Sequence, residues 1–542
     1  MSRELSQRSW LIVTTALVAL VASLVIMSGM SIASTSRLFA RVGAPLPQPA
    51  RLQPDDRLVM TGGSQLPETL DPALLRDAES SFIARQVFRG LVKLDNDLLA
   101  RPDLASSIDV SPDGLRYTFT LKENAVFHDG GRIDASAVVA SFNRATDPEI
   151  AGGNGYALPA AIYLNDIAGA DARLSGKAAS ISGLNVVSDA VLEITLERPS
   201  ASFLYKLTGS PAAIVDVVDA ERDEWWMAPN GSGPFQLTVD RDSRIDLARF
   251  DGFYDGVPTL AAATLLFGAE AAQPLNLYER GEVDIVDVPF YALDRVSSPS
   301  DPLYPDLVIQ PQLSTTYLAM NPNVAPFDDP NVRRAIAQAI DREKIVEVMF
   351  AGTVTAASGL VPPGILDREW TARSIPYDVA SAAALWPDDG VDPEPEFYGG
   401  MNLTIAQLLQ RDLDIEANAI GLDWPELTAR LQEQSLPAYS LSWIADFPDP
   451  ANFLEALFHS RSPDNYIGYA NADVDRLLDD AAVEPDAQRR VDLYLEVQQL
   501  IVDDAVLVPL YHDVSYTLVK PRVEGLTITP IGILSLESVT VQ

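Results

Sequence analysis

The chain has no cysteine among its 542 residues. That absence excludes disulfides, thiolate nucleophiles, cysteine-type zinc sites and a lipid-modified cysteine. Histidine is nearly as scarce. His128, His459 and His512 stand far apart, with no HExxH-like or HxH pair, so structural or solvent-exposed roles are expected rather than a metal site. Positive charge is the third shortage: 39 Lys and Arg face 76 Asp and Glu, a formal net charge of −37. Nucleic acid is therefore not an expected partner, because phosphate binding needs a basic patch. Adsorption to anionic lipid is disfavoured for the same reason. The charge names no substrate, since exposed charges are screened within about 10 Å at moderate salt.

Long apolar runs are also missing, with one exception. After Arg3 and Arg8 the chain carries no charge from Leu11 to Ala33. A run of roughly 20 residues spans a bilayer, and basic residues ahead of it hold the start inside. Ser31-Ile32-Ala33 has the small-x-small form of a signal-peptidase site. The run is nevertheless long for a signal h-region of about 7–15 residues, which favours an uncleaved anchor over residues 10–33. Either reading of residues 1–33 puts the rest of the chain outside the cytoplasm, in a periplasm or on the outer face of the cytoplasmic membrane. Residues 34–55, with GAPLPQPARLQP, read as a Pro-rich tether.

The body that follows is apolar enough to be globular, at 47% hydrophobic residues overall, and long enough for more than one core. Strand-like and helix-like stretches alternate without a regular βαβ rhythm. LRYTFTLKE sets Tyr117, Phe119 and Leu121 against polar neighbours, the pattern of a half-buried strand. Asp134 then caps a helix, with Ile133 and Val138 at the staple positions. In DDPNVRRAIAQAIDREKIVEVMFAG, Asp329 is an N-cap with Pro330 at the first helical position. Val332, Ile336 and Ile340 share an apolar face, Asp341 restarts the pattern, and Gly352 is expected to end it. VDRLLDDA and AQRRVDLYLEVQQLIVDDA are two later amphipathic helices, and VLVPLYHDVSYTLV returns to strand.

The stretch WIADFPDP, Trp443 to Pro450, holds two aspartates in aromatic company, a costly place for a carboxylate unless something satisfies it. YSLSW before it alternates bulky and small residues as a strand does. Pro448 and Pro450 end regular structure, and ANFLEALF after them has helical spacing. Asp449 is thereby placed as an N-cap with Pro450 at the next position, a structural task worth roughly 0.5–2 kcal/mol. Asp446, just past the strand end, is left either as a turn-forming side chain or as a carboxylate that a ligand cation satisfies.

Taken together, eight stretches in order resemble one family. They are ETLDPALLRDAESSFIARQVFRGLVKLDND, RPDLASSIDVSPDGLRYTFTLKENAVFHDGGRIDASAVVASFNRA, NGSGPF, STTYLAMNPNVAPFDDPNVRRAIAQAIDREKI, GLVPPGI, PYDVASAAALW, WIADFPDPANF and NADVDRLLDDA. The chain is similar to the family 5 extracellular solute-binding proteins of ABC importers, the oligopeptide- and dipeptide-binding group. The resemblance implies an α/β, bilobed, periplasmic-binding-protein-like fold of type II and the large peptide-binding subclass, with an inserted subdomain. It places lobe 1 at 56–310 with the insertion at about 76–184, lobe 2 at 311–504, and strands 505–542 returning to lobe 1.

The resemblance also implies a non-enzymatic, monomeric subunit that hands peptide to a permease driven by an ATPase, with no cofactor. By the family's motif Asp446 receives the ligand's α-ammonium group. Trp443 is a candidate pocket wall, and Phe447 and Tyr317 are further candidate contacts. Other members carry nickel chelates, oligosaccharides or opines. A carboxylate-pair hydrolase built on Asp446 and Asp449 is disfavoured, because one carboxylate is used as a cap and no nucleophile–base set accompanies them. A membrane-anchored solute sensor would have to signal through another protein, since only about nine residues precede the apolar run.

Overall fold

The computed structural model describes residues 56–542 apart from 152–157, 241–242, 368–373 and 387–393. The expected membrane helix at 10–33 and the tether at 34–55 lie outside the described residues. Among the described residues no helix is long and apolar enough to cross a membrane.

Three sheets organise the body. The first has seven strands in the order Phe235–Asp240, Arg244–Arg249, Ala262–Leu266, Arg57–Thr61, Ile285–Asp287, Val514–Val519 and Leu307–Pro311. Arg57–Thr61 pairs in parallel on both sides, which requires crossover connections, and its Leu58 and Met60 point into the core with Phe235, Leu247 and Leu265. The second sheet runs Thr355–Ala356, Leu507–His512, Ser314–Met320, Ala438–Ile444, Glu396–Gly399 and Asn418–Ile420. Ser314–Met320 is buried at all seven positions, as suits a central strand covered on both faces. The third sheet has four antiparallel strands, Ala105–Val110, Arg116–Leu121, Val191–Thr195 and Leu184–Ser188.

Local signals are realised closely. Tyr117, Phe119 and Leu121 are all buried in the third sheet. The Asp134 carboxylate accepts from the Ala137 N–H at 2.9 Å and starts Ala135–Ala145, with Ile133 and Val138 buried beside it. Asp329 accepts from Asn331 N–H at 2.7 Å ahead of Pro330–Ala339, and Asp341 from Lys344 N–H at 3.1 Å ahead of Arg342–Phe350. The stop lies one residue earlier than expected. Ala351 already turns left-handed, at φ 48°, and the Gly352 N–H then closes on the Val346 carbonyl at 3.1 Å.

Two short links join the first and second sheets: residues 312–313, and Asp513 alone. They lie side by side, with Gln312 N–H donating to the Asp513 carbonyl at 2.9 Å. The expected return of the chain at 505 is therefore displaced. Leu507–His512 still pairs with Ser314–Met320 in the second sheet, and the first sheet is re-entered only at Val514. A single polar residue breaks what reads in sequence as one strand.

Candidate functional site

A cleft of about 690 Å³ opens beside these links. Its walls come from Thr61–Gly63 and Ile285–Val288 of the first sheet's neighbourhood, from Ala445 and Asp446 after a strand of the second sheet, and from the link residues Gln312 and Asp513. The helix Ala78–Val87 turns Ala78, Phe82 and Arg85 toward it at helical spacing, with Glu79 alongside. A second recess of about 700 Å³ shares Gly63 and Glu79 with the first and continues toward Trp424 and Gln432.

Asp446 stands at the cleft wall because the strand Ala438–Ile444 ends two residues before it. Asn452, buried in the following helix, holds the turn. Its Oδ1 accepts the Asp446 N–H at 3.0 Å and Trp443 Nε1–H at 3.2 Å, while its Nδ2 donates to Asp446 Oδ2 at 3.0 Å. Tyr163 donates its hydroxyl to the same Oδ2 at 2.6 Å. The Tyr163 ring comes so close to Gly209 that a Cβ there would lie 2.3 Å from it, so only glycine leaves room for the ring. Burial and the Asp446 carboxylate together push the Tyr163 hydroxyl well above its ordinary value, which keeps it a neutral donor. Burial lowers the Arg85 guanidinium from its ordinary value, and Asp446 opposes that shift.

Asp449 does another job. Its carboxylate accepts the Ala451 N–H at 2.9 Å, but the helix starts from Pro450, and the larger interaction is a two-pronged buried ion pair with Arg490 at 2.8 and 2.7 Å. Simple capping accounts for only part of its role.

The four sequence-designated residues part company. Asp446 lines the cleft; Trp443, Phe447 and Tyr317 are not among the residues lining it. Trp443 is half-buried and acts through Asn452. Phe447 is buried against Tyr205, the rings 6.1 Å apart. Tyr317 is 1% exposed in the core of the second sheet, and its hydroxyl has no hydrogen-bond partner among the described residues. Sequence reasoning missed Tyr163, Asn452 and Arg85. Asn452 alone had a local signal, being a polar residue on the buried face of ANFLEALF.

Residues 100–465 match the family model "Bacterial extracellular solute-binding proteins, family 5 Middle". The chain belongs to this family. Its members are non-enzymatic binding proteins of ABC transport systems. The chain is 27% identical to the glutathione-binding protein GsiB of Salmonella paratyphi A, over 85% of this chain and 90% of that protein. It is 29% identical to a probable di/tripeptide-binding protein of Pseudomonas aeruginosa, over 80% and 85%. Heme-binding protein A of Haemophilus influenzae is 26% identical over 86% and 89%. Among solved structures, the murein tripeptide binding protein MppA of Escherichia coli superposes with a TM-score of 0.81 at 23% identity, covering 90% of this chain and 99% of that one. The fold of this family member is thus the mixed α/β fold of the oligopeptide-binding proteins.

One cleft carboxylate, Asp287, responds to pH in a defined direction. Asp287 is exposed at the end of its strand, but desolvation of the carboxyl within the cleft raises it above its ordinary range, against the hydrogen bond it accepts from Thr517 at 2.9 Å. A carboxyl whose folded value is raised favours the folded state at low pH, and that contribution is lost as pH rises through the raised value. Asp287→Asn keeps an acceptor for Thr517 and removes the charge. It is expected to raise the thermal midpoint of the ligand-free protein at neutral pH. The gain should shrink as pH falls into the ordinary carboxylate range. A variant that melts below the parent at neutral pH counts against this assignment.

Proposed function

We propose that this chain is the extracytoplasmic solute-binding subunit of an ABC importer. It takes peptides in the cleft between the first and second sheets and delivers them to a permease, held at the membrane by residues 10–33 where these are retained. The observation that carries the reading is the state of Asp446. A carboxylate at a cleft wall is met by two neutral donors, Tyr163 and Asn452, both on one oxygen, and no ion pair to it is formed among the described residues. Arg85 interacts with this carboxylate electrostatically without an ion-pair contact among the described residues, and a ligand ammonium with three N–H donors suits its remaining oxygen. The two adjacent links at 312–313 and 513 are the natural place for the sheets to move against each other.

Small molecules carried through purification test the reading. The full chain is purified without denaturant and then unfolded, and the released compounds are identified by mass spectrometry. Peptides with free amino termini are expected, and synthetic peptides should lose affinity when N-acetylated. Release of sugars or metal chelates in place of peptides overturns the peptide reading and leaves family membership intact.

A further inference from the structure

Tyr163 and Asp446 meet from different bodies of the molecule. Tyr163 packs on the core of the third sheet, and Asp446 follows a strand of the second. The two cores share no residue, and along the chain the first-sheet strands between 235 and 311 separate them, so these bodies meet only through space. Beside the Tyr205 ring stacked on Phe447, polar contacts cross the boundary. Lys206, at the end of Phe203–Lys206, is the buried one, with 3% exposure. Its ammonium donates to Asp166 at 3.1 Å within its own body and to Glu455 at 3.2 Å across the boundary. Ser200 donates to the other oxygen of Asp166 at 2.6 Å and holds it in place. Burial works against the ammonium's charge, and the two carboxylates outweigh it. Nearer to solvent, Arg198 pairs with Asp479 at 2.6 Å, and the Ala201 N–H donates to the Ala482 carbonyl at 3.1 Å.

Glu455 stands three residues after Asn452 on Ala451–Phe458. Asn452 holds the turn of Asp446, so the helix that Lys206 grips is the one that sets the anchor carboxylate. Tyr163 in turn lies three residues ahead of Asp166, which fixes Lys206 in its own body. We infer that Lys206 is a positioning residue for ligand binding: clasped between Asp166 and Glu455, it draws the third-sheet body onto that helix and so seats the Tyr163 hydroxyl on Asp446. This deepens the proposed function and rests on its reading of Asp446. Opening the boundary leaves Lys206 with Asp166 and takes Glu455 away, so a buried ammonium loses one of its two carboxylates. A ligand held at Asp446 and the clasp at Lys206 therefore favour the same arrangement, and each strengthens the other.

The test uses the full chain with Lys177→Cys and Gln488→Cys, exposed positions on the two bodies, as its only cysteines for a dye pair. Single-molecule energy transfer reads the ratio of closed to open molecules, with and without Ala-Ala-Ala. Glu455→Gln keeps the shape of the side chain and leaves Lys206 its Asp166, so each body keeps its own contacts. The closed-to-open ratio should fall about tenfold in this variant. Arg198→Gln, at the exposed rim, should change it less than about twofold. Ala-Ala-Ala should raise the ratio in the parent and bind Glu455→Gln more weakly. The same ratio in the parent and Glu455→Gln, with Ala-Ala-Ala raising both, overturns the inference while the peptide reading stands. A loss in Arg198→Gln as large as in Glu455→Gln overturns it as well. A loss confined to Glu455→Gln, with no response to Ala-Ala-Ala in any of the proteins, supports the clasp and overturns the peptide reading. One distribution that neither substitution nor peptide moves overturns both.

Discussion

Arg490→Met is expected to destabilise the folded protein by about 3–5 kcal/mol. Arg490 and Asp449 are both almost fully buried, at 7% and 3% exposure, so water cannot take over from the missing partner. Arg490 makes more than one bond. It donates twice to Asp449, to the Tyr494 hydroxyl at 3.0 Å and to the Ala481 carbonyl at 3.2 Å, tying Ala487–Asp503 to the loop ahead of Ala451–Phe458 and to the end of Ala472–Val483. Burial alone would lower the guanidinium's proton affinity, but Tyr494 and Asp449 outweigh it and hold the group charged. Removing the cation strands a buried carboxylate that, among the described residues, keeps only the Ala451 N–H. Urea unfolding followed by tryptophan fluorescence reads the loss directly. The double variant Asp449→Leu/Arg490→Met should recover most of it, because a buried pair costs desolvation on both sides and a packed apolar replacement costs none. A single-variant loss below about 1 kcal/mol would mean that the pair is solvated in solution and does not carry the loop.

That pair also marks how far local reading of the sequence reaches. Asp449 was legible as structural from Pro450 and the apolar periodicity after it, because capping depends only on neighbours. Its partner lies 41 residues away in AQRRVDLYLEVQQL, where an arginine on an amphipathic helix normally faces water. Only the packing of two helices turns Arg490 inward. Tyr163 is the harder case, at 283 residues from Asp446 and in a stretch with no pattern of its own. Local reading left Asp446 open between a turn-forming side chain and a ligand carboxylate, and the ligand role came from the family's motif. Tyr317 and Phe447 lie away from the cleft lining. Aromatic residues beside a binding motif resemble pocket walls, yet one lies in a strand buried at every position and the other turns into the core. Period-two alternation says that a side chain leaves one face of a sheet, and it is silent on whether that face meets a cleft or a core. The break at Asp513 was hidden for a similar reason, because one polar residue between two apolar runs is also what an edge strand contains.

Asp446→Asn should weaken peptide binding by about 2–5 kcal/mol, roughly thirtyfold or more, with little change in the stability of the ligand-free protein. The separation of the two effects follows from which oxygen does what. Oδ2 accepts from Tyr163 and Asn452, and an asparagine placed with its carbonyl oxygen there keeps both bonds. What is lost is the charge and the second acceptor, replaced by an amide N–H₂ that points a donor at an incoming ammonium. Asp446→Ala is the harsher change. It leaves the buried Asn452 amide and the Tyr163 hydroxyl without their acceptor, so it should lower stability as well as affinity. Tyr163→Phe removes one neutral donor and no charge, and its effect on affinity should stay within about tenfold. The order expected in titrations with one peptide is therefore parent, Tyr163→Phe, then both Asp446 variants together, while in thermal unfolding Asp446→Asn stays with the parent and Asp446→Ala drops. If Asp446→Asn binds like the parent but melts like Asp446→Ala, the carboxylate serves only the turn around Asn452, and the ammonium must be sought elsewhere in the cleft.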